Sequence, residues 1–216
     1  MSARPALDLS VYLVTDAALC GTRGVVETVR QAIAAGATVV QLRDPVAKTR
    51  ALVDEARALA GLLRPAGIPF VVNDRVDVAM AAGADGVHLG QSDMRVADAR
   101  ALIGPEPLLG LSITSLADLG ASDLGLVDYL GVGPVFATAT KADAAPAMGL
   151  AGLAAVRAAC PLPIVAIGGI AAANAAETIA AGADGVAVVS AICAASDAAE
   201  ATRTLAGIVA AAKRRR

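Results

Sequence analysis

Two carboxylates that could hold a metal ion follow neighbouring apolar runs of this sequence. Asp74 comes directly after the run Phe70–Asn73, and Asp93 follows the run Gly86–Leu89. If both runs are adjacent strands of a parallel sheet, the two side chains can converge on one cation. Oxygen ligands of this type suit Mg²⁺, with substrate phosphates filling further positions. An aspartate after a strand is also a common helix cap, so the pair alone leaves both interpretations open.

Residues that can bind anions follow other apolar runs. Arg43 can grip phosphate oxygens through two parallel hydrogen bonds, and Lys141 adds a point charge from a connecting segment. Further along the chain, Gly168 and Gly169 allow backbone amides to approach an anion closely, and Ser190 follows the last apolar run. The sequence therefore predicts two anion sites, one for a Mg²⁺-bound pyrophosphate and one built from backbone for a phosphate.

A repeat marks the elements that must position these residues. Helix-like segments end at Gly36, Gly83 and Gly182, and an apolar run follows each of them. Glycine at such a position closes a helix in the left-handed conformation, and the run supplies a buried strand. The spacings of the glycines correspond to two and then four units of about 24 residues, the size of one βα unit in a small barrel.

Completing this pattern gives strands and helices in alternation. Strands are predicted at 11–15, 38–42, 70–73, 86–89, 108–112, 129–132, 164–167 and 186–189. Helices are predicted at 25–35, 49–63, 75–82, 96–103, 115–121, 150–159, 172–181 and 198–212. Alternation implies parallel pairing, which an open doubly wound sheet would also use. The number of strands favours a closed, all-parallel (βα)8 TIM barrel of the α/β class, with residues 1–216 as one domain.

In such a barrel the active site lies at the C-terminal ends of the strands. The polar residues predicted there are Gln41, Arg43, Asn73, Asp74, Gln91, Asp93, Ser112, Thr138, Thr140 and Lys141. The last three belong to the segment 133–149, which is long and rich in small residues. A connection of this length inside a compact domain is typical of a lid or binding loop, with an idle insertion as the alternative.

Two residue types common in catalysis take no part in this interpretation. His88, the single histidine, lies one residue inside the end of a predicted strand, where a hydrogen-bonded structural role is expected. The cysteines Cys20, Cys160 and Cys193 have no CxxC spacing and no histidine placed to activate them, so thiol catalysis is not expected. Three thiols that cannot all pair within one chain fit a reducing cytoplasm.

Composition narrows the class of partner. The chain of 216 residues is 56% hydrophobic and 2% aromatic, with a formal charge of −2. These values suit helices packed on a buried parallel sheet and give no basic field for nucleic acid. Residues 213–216 are basic and are predicted to form a solvated tail. No signal peptide or membrane-spanning run is recognised, so we expect a cytoplasmic protein that binds small-molecule substrates, with no prediction of oligomeric state.

Five segments carry a resemblance to a known family. They are VQLRD (40–44), VNDRVD (72–77), ADGVHLGQSD (84–93), GVGPVFATATK (131–141) and AIGGI (166–170). On these segments the chain resembles the thiamine-phosphate synthases over nearly its whole length. The string 73–93 and the loop motif Gly-Pro…Thr-x-Thr-Lys are the specific parts, whereas the glycine pair and the Val-Ser end are shared with other phosphate-binding barrels.

The resemblance implies that hydroxymethylpyrimidine pyrophosphate loses pyrophosphate and that the nitrogen of a thiazole phosphate captures its methylene carbon, giving thiamine phosphate. It implies that the pyrimidine substrate is held by Gln41, Arg43, Asn73 and Lys141, with Ser112 near the pyrimidine amino group. It assigns the thiazole phosphate to Thr138, Thr140, Gly169, Val189 and Ser190. Asp74 and Asp93 would bind Mg²⁺. Arg43, Ser112 and Lys141 would be the catalytic groups, because departure of pyrophosphate needs charge neutralisation more than a covalent nucleophile.

The chain departs from this family at two positions. The family usually has lysine where this chain has Pro45, which removes one cation from the pyrophosphate site. Lys48 or Arg50 could replace it. The family also commonly has histidine where this chain has Thr114, and the thiazole tautomerases of the same fold rely on a histidine there. Its absence argues against tautomerase activity.

Two other functions stay open. One is a different phosphate-binding barrel enzyme, such as a sugar-phosphate aldolase or isomerase. A Schiff-base aldolase needs a lysine on a strand, and Lys48, Lys141 and Lys213 all lie outside the predicted strands. The other is a barrel that binds thiamine precursors without turning them over, because Pro45 weakens the grip on pyrophosphate.

Overall fold

Eight parallel strands form a closed barrel in the computed structural model, which describes residues 7–138, 140 and 145–216. The strands are β1 (Val11–Val14), β2 (Val39–Leu42), β3 (Phe70–Asn73), β4 (Gly86–Leu89), β5 (Leu108–Ile113), β6 (Tyr129–Val132), β7 (Ile164–Ile167) and β8 (Gly185–Val188). Each pairs with the next along the chain, and β8 pairs with β1. This last pairing confirms the TIM barrel and excludes the open doubly wound sheet.

Helices surround the barrel. In the described residues they are α1 (Ala17–Cys20), α2 (Val25–Ala34), α3 (Thr49–Ala66), α4 (Val76–Ala82), α5 (Val96–Ile103), α6 (Leu116–Ala121), α7 (Gly149–Ala159), α8 (Ala175–Ala180), α9 (Ser190–Cys193) and α10 (Ala198–Lys213). Short 3₁₀ turns occur at Gly21–Arg23 and Leu124–Leu126. Within this part of the chain, no helix is both long enough and apolar enough to cross a membrane.

The predicted strands are all present, each with its ends within one residue of the prediction. The one-turn helices α1 and α9 were not predicted, because a single turn gives no measurable hydrophobic period. α8 begins later than expected because the side chain of Asn174 holds the preceding residues in a turn. This side chain accepts from the N–H of Ala171 at 2.8 Å and donates to the carbonyl of Gly169 at 2.9 Å.

Hydrophobic side chains pack on both faces of the barrel wall. The larger core lies between the strands and the helices. The smaller core fills the barrel interior with Leu9, Tyr12, Val14, Val39, Val71, Tyr129, Val165 and Ala187. Most of these interior side chains are small, and this leaves room for the two tyrosines, which are almost completely buried.

One recurring hydrogen bond joins the N-terminal ends of the strands in pairs. A side-chain oxygen immediately before each even-numbered strand accepts from a backbone N–H at the start of the preceding strand. The donor and acceptor pairs are Val11 with Thr38 (3.1 Å), Phe70 with Asp85 (2.8 Å), Leu109 with Asp128 (2.7 Å) and Ile164 with Asp184 (2.9 Å). We call these four contacts the rim clamps. They fix the lower rim of the barrel, opposite the predicted site.

The seam between β8 and β1 has polar contacts at its upper end. The guanidinium of Arg23, which follows α1, donates to the backbone carbonyls of Cys193 at 2.7 Å and Ala195 at 2.8 Å. These carbonyls lie in and just after α9. Arg23 therefore ties the segment after β1 to the segment after β8, on the side of the barrel where the site is predicted.

Basic residues near the end of α10 hold the lower end of the seam. Lys213 Nζ donates to Ser10 Oγ at 2.6 Å and lies 3.6 Å from Asp8 Oδ1. Arg216 donates to the carbonyl of Ala183 at 3.1 Å. Residues 213–216 are all exposed, as predicted for a solvated tail, but Lys213 belongs to α10, and Lys213 and Arg216 also contact the segments leading into β1 and β8.

Candidate active site

A cavity of about 540 Å³ opens at the C-terminal ends of the strands. It brings together predicted site residues from seven strand ends and their loops: Gln41, Arg43, Asn73, Asp74, Gln91, Asp93, Ser112, Thr138, Thr140, Gly169, Val189 and Ser190. Lys141 lies outside the described residues. Residues far apart in the sequence meet here because all parallel strands of a barrel end on the same face.

The carboxylates of Asp74 and Asp93 follow the adjacent strands β3 and β4. Asp74 has a φ of 59° and is the one non-glycine residue with positive φ in the described part of the chain. Its N–H donates to the carbonyl of His88 at 2.8 Å, and its Oδ2 accepts from Asn73 Nδ2 at 2.6 Å. Asp93 Oδ2 accepts from the N–H of Gly90 at 2.8 Å. A left-handed backbone at a carboxylate that lines a cavity is typical of a functional position.

Neither aspartate caps a helix, so the helix-cap interpretation is wrong, and the metal interpretation stays a prediction. The residues that precede α4 and α5 are Arg75 and Arg95, and neither helix has a side-chain cap hydrogen bond. Asp197, by contrast, caps α10 by accepting from the N–H of Glu200. Across the described residues, no group of three or more His, Cys, Asp or Glu side chains is placed to hold a metal. Besides Asp74 and Asp93, the cavity is lined by the carboxylate of Asp118, which accepts from Thr114.

A row of five side chains crosses the barrel below the cavity. Gln41 Nε2 donates to Tyr12 Oη at 2.8 Å, and Tyr12 Oη lies 2.8 Å from Tyr129 Oη. His88 places Nδ1 3.1 Å from Tyr129 Oη and Nε2 3.0 Å from Ser112 Oγ. We call this row, from Gln41 to Ser112, the interior chain. It links one side of the cavity floor to the other.

Burial sets the charge state of the interior chain. It lowers the pKa of His88 to about 4, and the carboxylate of Asp93 offsets this only in part. Burial also raises the pKa of Tyr12 and Tyr129. All three side chains are therefore neutral near pH 7. This agrees with the hydrogen-bonded structural role expected for His88.

Polar groups after β4 and β5 form one side of the cavity. Gln91 Nε2 donates to the carbonyl of Ser112 at 2.7 Å. Thr114 donates to Asp118 Oδ2 from its N–H at 2.9 Å and from its hydroxyl at 2.6 Å, and the hydroxyl contact is the main reason that the pKa of Asp118 is lowered. Where the family commonly has histidine, this chain therefore has a threonine committed to a neighbouring carboxylate.

The glycine pair after β7 packs against the segment that follows β6. The N–H of Phe136 donates to the carbonyl of Gly168 at 3.0 Å. Gly169 has a φ of 63°, and a Cβ placed there would lie 2.5 Å from the carbonyl oxygen of Ala137. Glycine is required here by the backbone itself. A larger residue at position 169 would disturb the loop as well as any ligand.

The end of β8 lies beside this glycine pair. Val189 and Ser190 line the cavity, and α9 begins at Ser190. The first N–H groups of a helix have no acceptor within the helix, so they are available to an anion. The β7 and β8 ends therefore form a side of the cavity built largely from backbone, separate from the carboxylates after β3 and β4.

Comparison with known proteins bears on this arrangement. The family model described as thiamine monophosphate synthase matches residues 11–192, which include the barrel strands and the predicted cavity residues. This chain belongs to the thiamine monophosphate synthase family. It is similar to the thiamine-phosphate synthase of Azorhizobium caulinodans, with 58% identity over 96% of this chain and 98% of the relative. Identity to the thiamine-phosphate synthase of Xanthobacter autotrophicus is 62%, over 95% of this chain and 98% of the relative.

A solved structure supports the same family. Thiamine phosphate pyrophosphorylase from Pyrococcus furiosus superposes with a TM-score of 0.88 at 40% identity, covering 95% of this chain and 98% of that chain. The resemblance recognised in the sequence is confirmed, and the thiamine monophosphate synthase family makes this protein a transferase of thiamine biosynthesis.

Pro45, where this family usually has lysine, lies in a tight turn. Asp44 Oδ1 accepts from the N–H groups of Val46 at 3.0 Å and Ala47 at 2.9 Å, an arrangement that needs no N–H from the proline. Lys48 is exposed at the start of α3, and neither it nor Arg50 lines the cavity. The expected replacement cation is therefore not brought to the site. Arg43 is the only lysine or arginine of the described residues that lines the cavity.

The sequence interpretation missed the interior chain. Tyr12 and Tyr129 are the only tyrosines in the protein, and both lie in strands predicted from apolar residues alone. A tyrosine hydroxyl on a strand of a barrel must find a partner inside it or in the helix layer. That requirement was the available signal, and the single histidine on β4 was the nearest candidate partner.

Proposed function

We propose that this transferase joins hydroxymethylpyrimidine pyrophosphate to thiazole phosphate, giving thiamine phosphate and pyrophosphate, and that it does so in the cytoplasm. The bond between the methylene carbon and the pyrophosphate oxygen breaks, and its electron pair leaves with pyrophosphate. The lone pair of the thiazole nitrogen forms the new carbon–nitrogen bond. Family membership supports the reaction class.

The observation that carries the proposal is a single cavity with two kinds of anion-binding group on different sides. Arg43, Asp74 and Asp93 follow β2, β3 and β4, whereas Gly169 and Ser190 follow β7 and β8. Two phosphorylated substrates need two such sites, because their charges repel each other. We assign the pyrophosphate to the β2–β4 side and the thiazole phosphate to the β7–β8 side, with Thr138, Thr140 and Val189 completing the latter.

The carboxylate pair fits Mg²⁺. Both carboxylates line the cavity, neither is used as a helix cap, and Asp74 is held in a left-handed conformation beside Asn73. Mg²⁺ commonly takes one or two carboxylates and fills further positions with phosphate oxygens and water. When bound, it would supply neutralisation of the charge on the departing pyrophosphate. Asp74 and Asp93 would hold it.

Side chains of the protein would bind the pyrophosphate and orient the pyrimidine ring. Arg43, together with Lys141, would donate charge-assisted hydrogen bonds to the pyrophosphate. Gln41, Asn73 and Ser112 would orient the pyrimidine ring. No covalent nucleophile is required, in keeping with a cavity floor made of neutral hydrogen-bonded groups.

The test is turnover with both substrates and Mg²⁺, measured as thiamine phosphate formed. Asp74→Asn and Asp93→Asn keep size and remove charge, and each should lower kcat by on the order of 100-fold, as losses of preorganised electrostatic stabilisation do. Asp98→Asn is the matched control, since Asp98 is exposed on α5 and does not line the cavity. Its kcat should equal that of the wild type.

Two results would count against the proposal, and a third would invalidate the comparison of variants. Wild type that binds both substrates without forming product would favour the non-catalytic binding barrel. Asparagine variants with near-normal turnover at limiting Mg²⁺ would remove the metal assignment. A loss in Asp98→Asn as large as in the site variants would mean that the assay reports general damage.

A further inference from the structure

Two glycines leave room inside the barrel for the aromatic rings of the interior chain. Gly110 on β5 and Gly131 on β6 lie where the tyrosine and histidine rings pass. A Cβ at Gly110 would be 2.3 Å from Tyr129 Cζ and 2.4 Å from His88 Nδ1, and one at Gly131 would be 2.8 Å from His88 Cε1. Any other residue at either position would displace the rings. The two glycines are thus part of the arrangement that keeps the interior chain continuous.

Each hydrogen bond of the interior chain has one donor, and the donors follow one after another from the Gln41 end. An amide nitrogen donates and does not accept, so Gln41 Nε2 gives its hydrogen to Tyr12 Oη. Within the described residues, the remaining partner for the Tyr12 hydroxyl hydrogen is Tyr129 Oη. Tyr129 then has its own hydrogen to give to His88 Nδ1.

This order determines the tautomer of the imidazole. Because His88 Nδ1 accepts, it carries no hydrogen, and the ring hydrogen is on Nε2. Nε2 therefore donates to Ser112 Oγ. Ser112 accepts from below and keeps its own hydroxyl hydrogen for the cavity that it lines.

At the Gln41 end of the interior chain, the group left for the cavity accepts a hydrogen bond. One N–H of Gln41 Nε2 goes to Tyr12, which leaves the second N–H of Nε2 and the carbonyl oxygen Oε1 of that side chain. No buried side-chain nitrogen or oxygen in the described residues lacks a hydrogen-bond partner, and Gln41 makes no second side-chain hydrogen bond there. Oε1 therefore reaches the cavity, where it can only accept.

We infer that Tyr12, Tyr129 and His88 are positioning residues that fix the hydrogen-bonding character of the substrate-binding ends of the chain, with Ser112 donating and Gln41 accepting. Tyr12 and His88 line the cavity and Tyr129 is not among its lining residues, but the role inferred for all three is exerted through the two ends of the row. They act by fixing the direction of the hydrogen bonds, which leaves the Ser112 hydroxyl hydrogen and Gln41 Oε1 for the cavity. Exchanging these two roles would require every hydrogen along the row to reverse.

This inference rests on the proposed function for the identity of the ligand. An aminopyrimidine carries an amine that donates and ring nitrogens that accept, which matches a cavity that accepts at Gln41 and donates at Ser112. Ser112 would then bond to the ring nitrogen beside the amino group and not to the amino group itself. The oxo analogue has a carbonyl in place of the amine and a hydrogen on a ring nitrogen, which is the reverse pattern. The interior chain would therefore select the amine.

The first experiment needs no substrate. His88 is the only histidine, so in ¹⁵N-labelled protein without a histidine tag the imidazole signals belong to one residue. We expect Nε2 to be protonated and Nδ1 to be bare. Tyr129→Phe should move the Nδ1 resonance, because its hydrogen-bond donor is gone. A hydrogen on Nδ1, or an equal mixture of both tautomers, would overturn the inference whether or not the enzyme turns over.

The second experiment measures the ratio of kcat/KM for the amine substrate to that for its oxo analogue. Tyr129→Phe and Tyr12→Phe each remove one oxygen from the chain and should lower this ratio by about tenfold or more, the effect of one lost hydrogen-bond preference. Thr202→Val is the control: its buried hydroxyl bonds the carbonyl of Ala198 within α10, far from the chain, so the ratio should not change.

The ratio separates positioning from support of the fold. Equal losses of kcat/KM for both substrates in the tyrosine variants, with the ratio unchanged, would reduce the chain to a structural feature and overturn the inference. If wild type forms no product from either compound, the proposed function fails. The tautomer measured in the first experiment then still decides whether the chain has the inferred direction.

Discussion

Arg43 and Lys48 are five positions apart, yet the fold gives them different surroundings. Arg43 follows β2 directly and lines the cavity, whereas Lys48 is exposed beyond the turn made by Asp44 and Pro45. The sequence interpretation allowed Lys48 to replace the missing family lysine. The turn explains why it does not, because it carries the chain away from the barrel mouth before α3 begins.

We therefore expect Lys48→Ala to leave the KM for the pyrimidine pyrophosphate within about twofold of wild type. Arg43→Ala should raise it by roughly 10- to 100-fold, since a charge-assisted hydrogen bond contributes about 1.5–3 kcal/mol. Steady-state kinetics with the thiazole phosphate saturating would measure both. A rise in KM for Lys48→Ala alone would mean that α3 approaches the substrate when it binds.

The buried imidazole of His88 should make the free energy of unfolding depend on pH. Its pKa of about 4 in the folded protein lies below the ordinary value of 6.5, so the unfolded chain binds a proton first as the pH falls. The free energy of unfolding is therefore highest, as far as His88 is concerned, above pH 6.5. It falls between pH 6.5 and 4, by up to about 3 kcal/mol for a pKa shift of this size.

Urea unfolding at several pH values between 7.5 and 4.5 would measure this loss. Carboxylates also titrate at the acidic end, so the comparison is with His88→Gln, which has no titrating group at this position. The free energy of unfolding should fall more steeply with acidification in wild type than in the variant. Parallel curves would show that the buried imidazole contributes no pH dependence.

Among the structural elements, the strands were the most predictable from sequence. A strand buried on both faces reads as a continuous apolar run, and the helix-ending glycines at 36, 83 and 182 locate three of them independently. Elements defined by contacts rather than by pattern were not predicted. α9 has a single turn, and the start of α8 depends on hydrogen bonds made by Asn174. Neither leaves a periodic signal.

Two of the rim clamps differ mainly by one ion pair, so their contributions to stability can be compared. Asp85 receives one backbone hydrogen bond from Phe70. Asp128 receives the equivalent bond from Leu109 and also lies 2.8 Å from the guanidinium of Arg100, in a half-buried ion pair. Removing the Asp85 carboxylate removes one hydrogen bond. Removing the Asp128 carboxylate removes the equivalent hydrogen bond and also leaves Arg100 without its ion-pair partner.

Asp85→Ala should therefore lower the free energy of unfolding by about 1 kcal/mol, and Asp128→Ala by about 2–3 kcal/mol. Urea titration monitored by circular dichroism would measure both. Since neither residue lines the cavity, kcat at low denaturant should be unchanged. Equal losses of stability would show that the ion pair adds nothing to the clamp.

For the whole molecule, topology is what made the site predictable. Once the strands are placed in order around a barrel, residues as distant as Gln41 and Ser190 must face the same opening. The interior chain could not be predicted in this way. Tyr12, Tyr129 and His88 meet through side-chain direction and strand register, which depend on how the whole sheet closes. The apolar pattern of the individual strands carries no record of those contacts.

The rim clamps also bear on chain entropy. They join residues 15, 19, 20 and 27 positions apart, whereas pairing at the seam joins Val11 to Val186. The entropic cost of closing a loop rises with the logarithm of its length, so each clamp closes at less cost than the seam. The barrel in this sense consists of four clamped strand pairs. Three pairings between strands that are neighbours in sequence and the β8–β1 seam join these pairs into a ring, and only the seam spans most of the chain. The clamps lie at the lower rim, which leaves the upper ends of the strands open to chemical variation.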